Sequence, residues 1–311
     1  MSEEQRLSEA DQEALATAVQ RLEFPSLTAR LTELVGMPLE AAMRWLPGGA
    51  VKTINAVSEK ALHRALKVSL ASMGRRRRRP SPGRHKIAAA VAGAAGGAVG
   101  LWGLAAELPI TTAFIFRSIA DIARAEGEDL NDPETALACL QVFALGGPRR
   151  TDDSADSIYF GARLALAQSV HEAARYLARG VTQRRAAPVL VRMIAKVASR
   201  FGVVVSYKAT AQLVPLIGAA GGSAINTVFM QHFQNMARGH FTIRRLERTY
   251  GADTIRQAYS RILTGQKQTA ETPDDDDAGG DDAPQDQPTY DADFEVVEPE
   301  TQTSRKRPRP D

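Results

Sequence analysis

The chain is predicted to be all-α, a helical bundle around two Gly/Ala-rich apolar segments with a disordered acidic C-terminal tail. Three observations lead there. Hydrophobic residues make up 44% of the 311 residues but aromatics only 6%, so Ala, Leu and Val must do most of the packing, which favours close-packed helices over a β-sandwich. Apolar residues recur at helical spacing through most of the chain. Two runs, Ile87 to Ala106 and Ala209 to Met230, carry no charge and are rich in glycine and alanine.

Residues 1–74 read as an N-terminal helical region. A helix is expected over 8–20, with Ser8 as N-cap and Asp11 placed for a reciprocal cap. Pro25, Pro38 and Pro47-Gly48-Gly49 punctuate the next stretch, and helices are expected over about 39–46 and 51–73, closed by Gly74. Residues 75–86 form a basic linker. Its five arginines, Arg75, Arg76, Arg77, Arg78 and Arg79, repel one another, and Pro80-Ser-Pro-Gly83 excludes helix.

The core, residues 87–265, opens with the first charge-free run. Glu107-Leu-Pro109 is expected to stop it, and a new helix to cover 111–125, where Phe114, Ile115, Ile119 and Ile122 fall on one side. Asp132 is the expected N-cap of the next helix, with Pro133 at its first position and its end near Leu145. Helices are expected over 157–179 and 187–201, the latter ended by Gly202. Residues 203–214 read as helix or, at the Val-rich start, a short strand. A long helix over 223–249 sets Ile225, Phe229, His232, Met236 and Ile243 on one side. Arg244, Arg245 and Arg248 lie at its C-terminal end, where cations suit the helix dipole. A last helix covers 252–263.

From Gln266 onward the composition is that of a disordered tail. This stretch holds 14 acidic and 5 basic residues, net −9, whereas the remainder holds 34 basic and 22 acidic residues, net +12. A basic body with an acidic tail points to anionic partners for the body. Within the tail, Asp291 to Glu298 combines Phe294, Val296 and Val297 with acid, and suits a strand laid on the edge of a peptide-binding partner.

Gly93-Ala-Ala-Gly-Gly97 recurs as Gly218-Ala-Ala-Gly-Gly222. On a helix Gly93 with Gly97, Gly96 with Gly100, and Gly218 with Gly222 make strips without side chains, and Gly221 lies beside the last; another helix approaches such a strip closely. Packing of the two segments on each other, or self-association through them, is the expectation. Their length also raises the membrane. A full span is disfavoured by the arginines that the intervening loop would carry across, Arg149, Arg150, Arg163, Arg184 and Arg185 among them. Re-entrant or peripheral contact and a wholly buried core remain the two alternatives.

Catalytic signatures are missing. The chain has no Gly-x-Ser-x-Gly elbow, no His-Glu-x-x-His and no phosphate loop. Cys139 is the single cysteine and sits in an apolar helical stretch, so it reads as a small buried hydrophobe. His232 and His240 lie two turns apart on one helix, too far to share a metal ion unaided. No metal and no cofactor are expected. The best polar candidates are Glu107, Arg117, Asp121, Lys208 and Asn226. Glu107 and Lys208 border the two apolar segments and meet if these pack together, either as a structural ion pair or as a polar site. Arg75 to Arg79 suit a polyanion, on lipid or nucleic acid, but no aromatic residues flank them, so sequence-specific nucleic-acid binding is not expected. Met1 to Ala10 is charged and mixed, unlike a secretory signal. With the cysteine usage this leads to an expected cytoplasmic location, at the inner face of the cytoplasmic membrane for a peripheral protein.

Glu107-Leu-Pro-Ile-Thr-Thr-Ala-Phe-Ile-Phe-Arg117, then Ile119 to Ala123, Gly127-Glu-Asp129 and Asp132-Pro-Glu134 resemble the central signature of the EcsC family. Tyr159-Phe-Gly-Ala-Arg163 fits its intervening part. Lys208, Pro215-Leu-Ile-Gly218, Gly221, Asn226 and Phe241 to Leu246 are similar to its C-terminal signature. The resemblance covers roughly 51–250; Arg75 to Arg79 and the acidic tail depart from the family pattern. It implies a helical accessory protein, since the family is named for a protein encoded beside an ABC transporter. The implied partner is a membrane surface of anionic lipid or a membrane protein. Some members carry a hydrolase or peptidase label, which keeps an enzyme near Glu107 and Lys208 as the alternative and polyanion binding as a second one.

Overall fold

The computed structural model describes residues 7–72, 100–147, 157–178, 188–214 and 218–271. Among them lie ten α-helices and no strand: α1 (Glu9–Glu23), α2 (Leu27–Val35), α3 (Leu39–Met43), α4 (Ala50–Ser72), α5 (Gly100–Ala125), α6 (Pro133–Gln141, continued by a 3-10 turn at Val142–Ala144), α7 (Ile158–Ala178), α8 (Pro188–Leu213), α9 (Gly218–Tyr250) and α10 (Ala252–Glu271). The all-α reading holds. Gly93, Gly96, Gly97, Arg75 to Arg79 and the segment 291–298 lie outside the described residues.

Several helix starts arise from the residues expected to make them. The Ser8 hydroxyl accepts from the Asp11 backbone N–H at 3.2 Å and donates to the Asp11 carboxylate at 2.9 Å. The Asp132 carboxylate accepts from the Glu134 N–H at 2.9 Å, with Pro133 opening α6. Residues 203–214 are helical, which closes the strand alternative.

Several boundaries differ from the sequence expectation, three of them for a physical reason. α2 lies between two prolines, where no helix is expected; its Leu27, Leu31 and Val35 are buried at helical spacing, and Gly36 ends it at φ +73°. α5 runs straight through Pro109, which was expected to stop it. A mid-helix proline costs about 3 kcal/mol, and burial of Leu108, Ile115, Phe116 and Ile119 along the same helix offsets it. α8 runs through Gly202 rather than ending there. A Cβ at Gly202 would stand 1.9 Å from the Asn55 side-chain oxygen, so this glycine lets α4 and α8 approach closely and is not a stop. α10 continues to Glu271, past the expected tail boundary at 266.

α9 is the axis of the bundle. It packs on α1, α2, α5, α8 and α10, while α4 lies across α5 and α8. The few aromatics concentrate where these helices converge. The Phe143 ring lies 5.0 Å from Phe201 and 5.2 Å from Phe233, and Phe229 lies 5.1 Å from Phe233, spacings at which edge-to-face pairs attract. Ile225, Phe229, His232, Met236 and Ile243 are all buried, as their spacing predicts, and so is Cys139. Among the described residues no helix is long and apolar enough to cross a membrane. The second charge-free run is not one helix: it divides between the end of α8 and the start of α9.

The Gly202 contact gives a direct test. Gly202→Ala is expected to lower unfolding free energy by about 1–3 kcal/mol through overpacking. Most of that loss should vanish when Asn55 is also changed to Ala. Urea unfolding of the two single variants and the double variant measures the coupling; an additive result would remove the close approach as the reason for glycine.

Candidate functional site

Glu107 on α5 and Lys208 on α8 are 101 positions apart in the chain, and the bundle brings them into contact. The Lys208 Nζ lies 2.6 Å from the Glu107 Oε1, with the lysine side chain fully buried and the glutamate 3% exposed. Thr111, one turn along α5, donates to the same oxygen at 3.4 Å, and Gln212, one turn along α8, donates to Oε2 at 3.4 Å. The ammonium also lies 5.1 Å from the centre of the Phe229 ring, where the face of the π-system attracts a cation. Burial pulls the Lys208 ammonium below its ordinary pKa, and the charge and hydrogen bond of Glu107 oppose that pull.

The other expected site residues divide. Asn226 is buried on α9, one turn before Phe229. Arg117 is exposed further along α5. Asp121 pairs with Arg124 at 3.1 Å. Gly221 is half-buried and Gly222 buried at the start of α9, while Gly100 and Gly218 contribute the first residues of α5 and α9. Besides Gly202, a Cβ at Gly239 would come within 2.6 Å of Leu22 where α1 crosses α9, and one at Gly146 within 2.5 Å of the Met236 sulfur.

Two further polar clusters escape a reading of the sequence. The first is built on Glu23, buried at the end of α1. It accepts from the Ile158 N–H at 2.9 Å, the Tyr159 N–H at 3.2 Å, the Ser157 hydroxyl and the Tyr259 hydroxyl at 2.7 Å. A carboxylate thus caps the N-terminus of α7, where backbone N–H groups and the helix dipole favour negative charge. Beside it the Tyr159 hydroxyl lies 3.0 Å from the Nδ1 of buried His240 and accepts from Arg163 at 3.1 Å, and Arg163 grips Glu247 at 2.8 and 3.2 Å. The one sequence signal for Glu23 is a charge that continues the buried stripe of Leu15, Val19 and Leu22.

The second cluster ends α9. Arg244 holds Glu128 at 2.8 and 3.2 Å, Arg248 also binds Glu128, and Arg245 joins Glu126 to Asp11, each at 2.9 Å. Arg248 donates to the Glu126 carbonyl at 2.8 Å. These arginines do more than complement a dipole: they clamp the loop after α5 and the start of α1 onto the axial helix.

The chain matches the EcsC protein family over residues 4–246. It belongs to that family. The EcsC match begins well before the motifs that carry the resemblance and takes in α1 to α4, whose buried residues join the same core as α5 to α10. No curated protein and no solved structure matches the chain.

The pair and the histidines lead to two tests. Removing one partner of a buried ion pair strands the other charge, so Glu107→Gln and Lys208→Met should each cost about 3–5 kcal/mol of unfolding free energy, and the double change Glu107→Leu with Lys208→Met should recover most of it. Chemical denaturation of the three variants checks this. His232 is held at about 4 by burial, below its ordinary 6.5. Between those values the unfolded chain binds more protons than the folded one, so stability falls as the pH drops through that window, by about 3 kcal/mol from this group. The melting temperature of His232→Leu should therefore depend less on pH between 6.5 and 4 than that of the parent; parallel profiles would contradict the assignment.

Proposed function

We propose that this EcsC-family chain is a helical accessory protein that works by contact at a membrane surface, docking its basic body on anionic lipid or on a membrane protein such as a transporter. The observation that carries this reading is the surface of the N-terminal helices. Phe24, Leu34 and Trp45 are 41–50% exposed, and the exposed cations Arg30, Arg44 and Lys52 lie between and beside them in the chain. Large apolar groups mixed with cations suit the headgroup region, where tryptophan settles and each cation gains about 1 kcal/mol from an anionic leaflet. The net +12 of the body adds long-range attraction. The corresponding location is the inner face of the cytoplasmic membrane, as a peripheral protein.

Co-sedimentation with vesicles containing anionic lipid tests the reading. Binding is expected at low salt, weakening as salt rises. Trp45→Ala and Arg75 to Arg79→Gln should each reduce it, and indole emission should shift to the blue on binding in the parent but much less in Trp45→Ala. Failure to sediment at low salt would overturn the proposal.

A second reading, a hydrolase centred on Glu107 and Lys208, draws on one observation. Burial pulls the Lys208 ammonium below its ordinary pKa, so it gives up its proton more readily than an exposed lysine does. An activity that Lys208→Met abolishes, while the stability-restored double variant folds normally and stays inactive, would favour it over contact.

A further inference from the structure

Among the described residues the half-buried Arg163, Arg244 and Arg245 each have a carboxylate partner, and Arg21 does not. At the elbow between α1 and α2, facing α9, lies a cleft of about 230 Å³. Gln20, Arg21, Ser26, Arg30, His232 and Asn235 supply its polar wall, and Phe24 and Met236 belong to its apolar one. Among the described residues no carboxylate lines it.

Arg21 is half-buried and Arg30 exposed, and among the described residues neither guanidinium makes a hydrogen bond or ion pair. The charges that Arg21 feels most are the like charge of Arg238 and, more weakly, Glu126, whose carboxylate is already engaged by Arg245 and Thr242. Arg238 donates to the Asn235 side-chain oxygen, at 3.2 Å, which leaves the Asn235 amide nitrogen to serve the cleft. Two guanidinium groups, Arg21 and Arg30, thus line one opening that has no carboxylate in its wall, and Arg238 repels the first of them. Burial and then the repulsion from Arg238 hold Arg21 below the ordinary guanidinium pKa. Such an arrangement costs stability in the empty protein and is relieved by an anion.

We infer that this elbow cleft binds a phosphate monoester, with Arg21 and Arg30 on the phosphate oxygens, Asn235 as a neutral donor, and the Phe24 and Met236 side against the organic part of the ligand. A guanidinium presents two parallel N–H donors to a phosphate, a better match than a point charge gives. The volume holds a phosphate with a short organic group. The phosphate comes from a soluble ester or from the headgroup of phosphatidic acid; the site chemistry is the same.

The test uses the full chain. Thermal unfolding is followed with inorganic phosphate, with glycerol 3-phosphate and with phosphatidic acid vesicles against phosphatidylcholine vesicles, ionic strength being matched with sodium chloride. A ligand that binds only the folded state raises the melting temperature. At least one phosphate probe is expected to do so. Arg21→Gln and Arg30→Gln should each weaken that response about tenfold in concentration, while Arg192→Gln, an exposed change outside the cleft, leaves it intact. Arg21→Gln should also melt no lower than the parent without phosphate, because it removes a repulsion; this separates loss of the site from loss of fold. A response to the soluble ester assigns a soluble ligand, and one confined to phosphatidic acid vesicles assigns the headgroup. No response beyond that of chloride, or an equal response in Arg21→Gln, overturns the inference. Membrane docking through Trp45 survives that failure, since phosphatidylglycerol vesicles test it without a phosphate monoester.

Discussion

A charge taken into a helical core of Ala, Leu and Val costs several kcal/mol unless its complement comes with it. Glu107 sets the pattern. Its carboxylate belongs to α5 and its ammonium partner to α8, so the two helices cannot slide or separate without stranding a charge. Glu23 repeats the arrangement by a different chemistry, tying the end of α1 to the first N–H groups of α7 and to Tyr259 of α10. Glu128 repeats it again, drawing the loop after α5 onto the arginines of α9. Hydrophobic burial drives the helices together, but it is non-directional. These three carboxylates fix which helix meets which, and at what height.

The glycines divide the work in a way that their abundance conceals. Single glycines make close approaches between helices. Gly202 lets α8 pass Asn55 of α4, and Gly239 lets α9 pass Leu22 of α1. A glycine in a helix interior costs about 1 kcal/mol relative to alanine. That loss is offset where a neighbouring helix fills the missing Cβ with its own side chain.

Much of this was legible from residues alone, and the failures share a cause. Ser8, Asp132 and Pro133 act within one turn, so local chemistry announces them and the structure agrees. The apolar stripe of α9 was equally plain, because period and burial express the same geometry. Pro109 and Gly202 misled because they are local breakers overruled by tertiary packing: burial of Leu108 and Ile115 carries α5 past the one, and contact with Asn55 explains the other. In the candidate site, Glu107 with Lys208 was readable because each borders a charge-free run. Glu23 with Tyr259, and Arg163 with Glu247, were not, because nothing in either partner's neighbourhood marks the other across 236 or 84 positions.

The matching of charges also separates what the fold needs from what a ligand would need. Glu23, Glu107, Glu128, Arg163 and Arg244 are all engaged by partners within the protein, so they explain the architecture. Arg21 differs in kind. It is drawn half into the bundle beside Arg238, and among the described residues no carboxylate lines its cleft. In a fold that matches its buried carboxylates with partners from distant helices, this half-buried guanidinium is the place where an anion from outside the chain would complete the match.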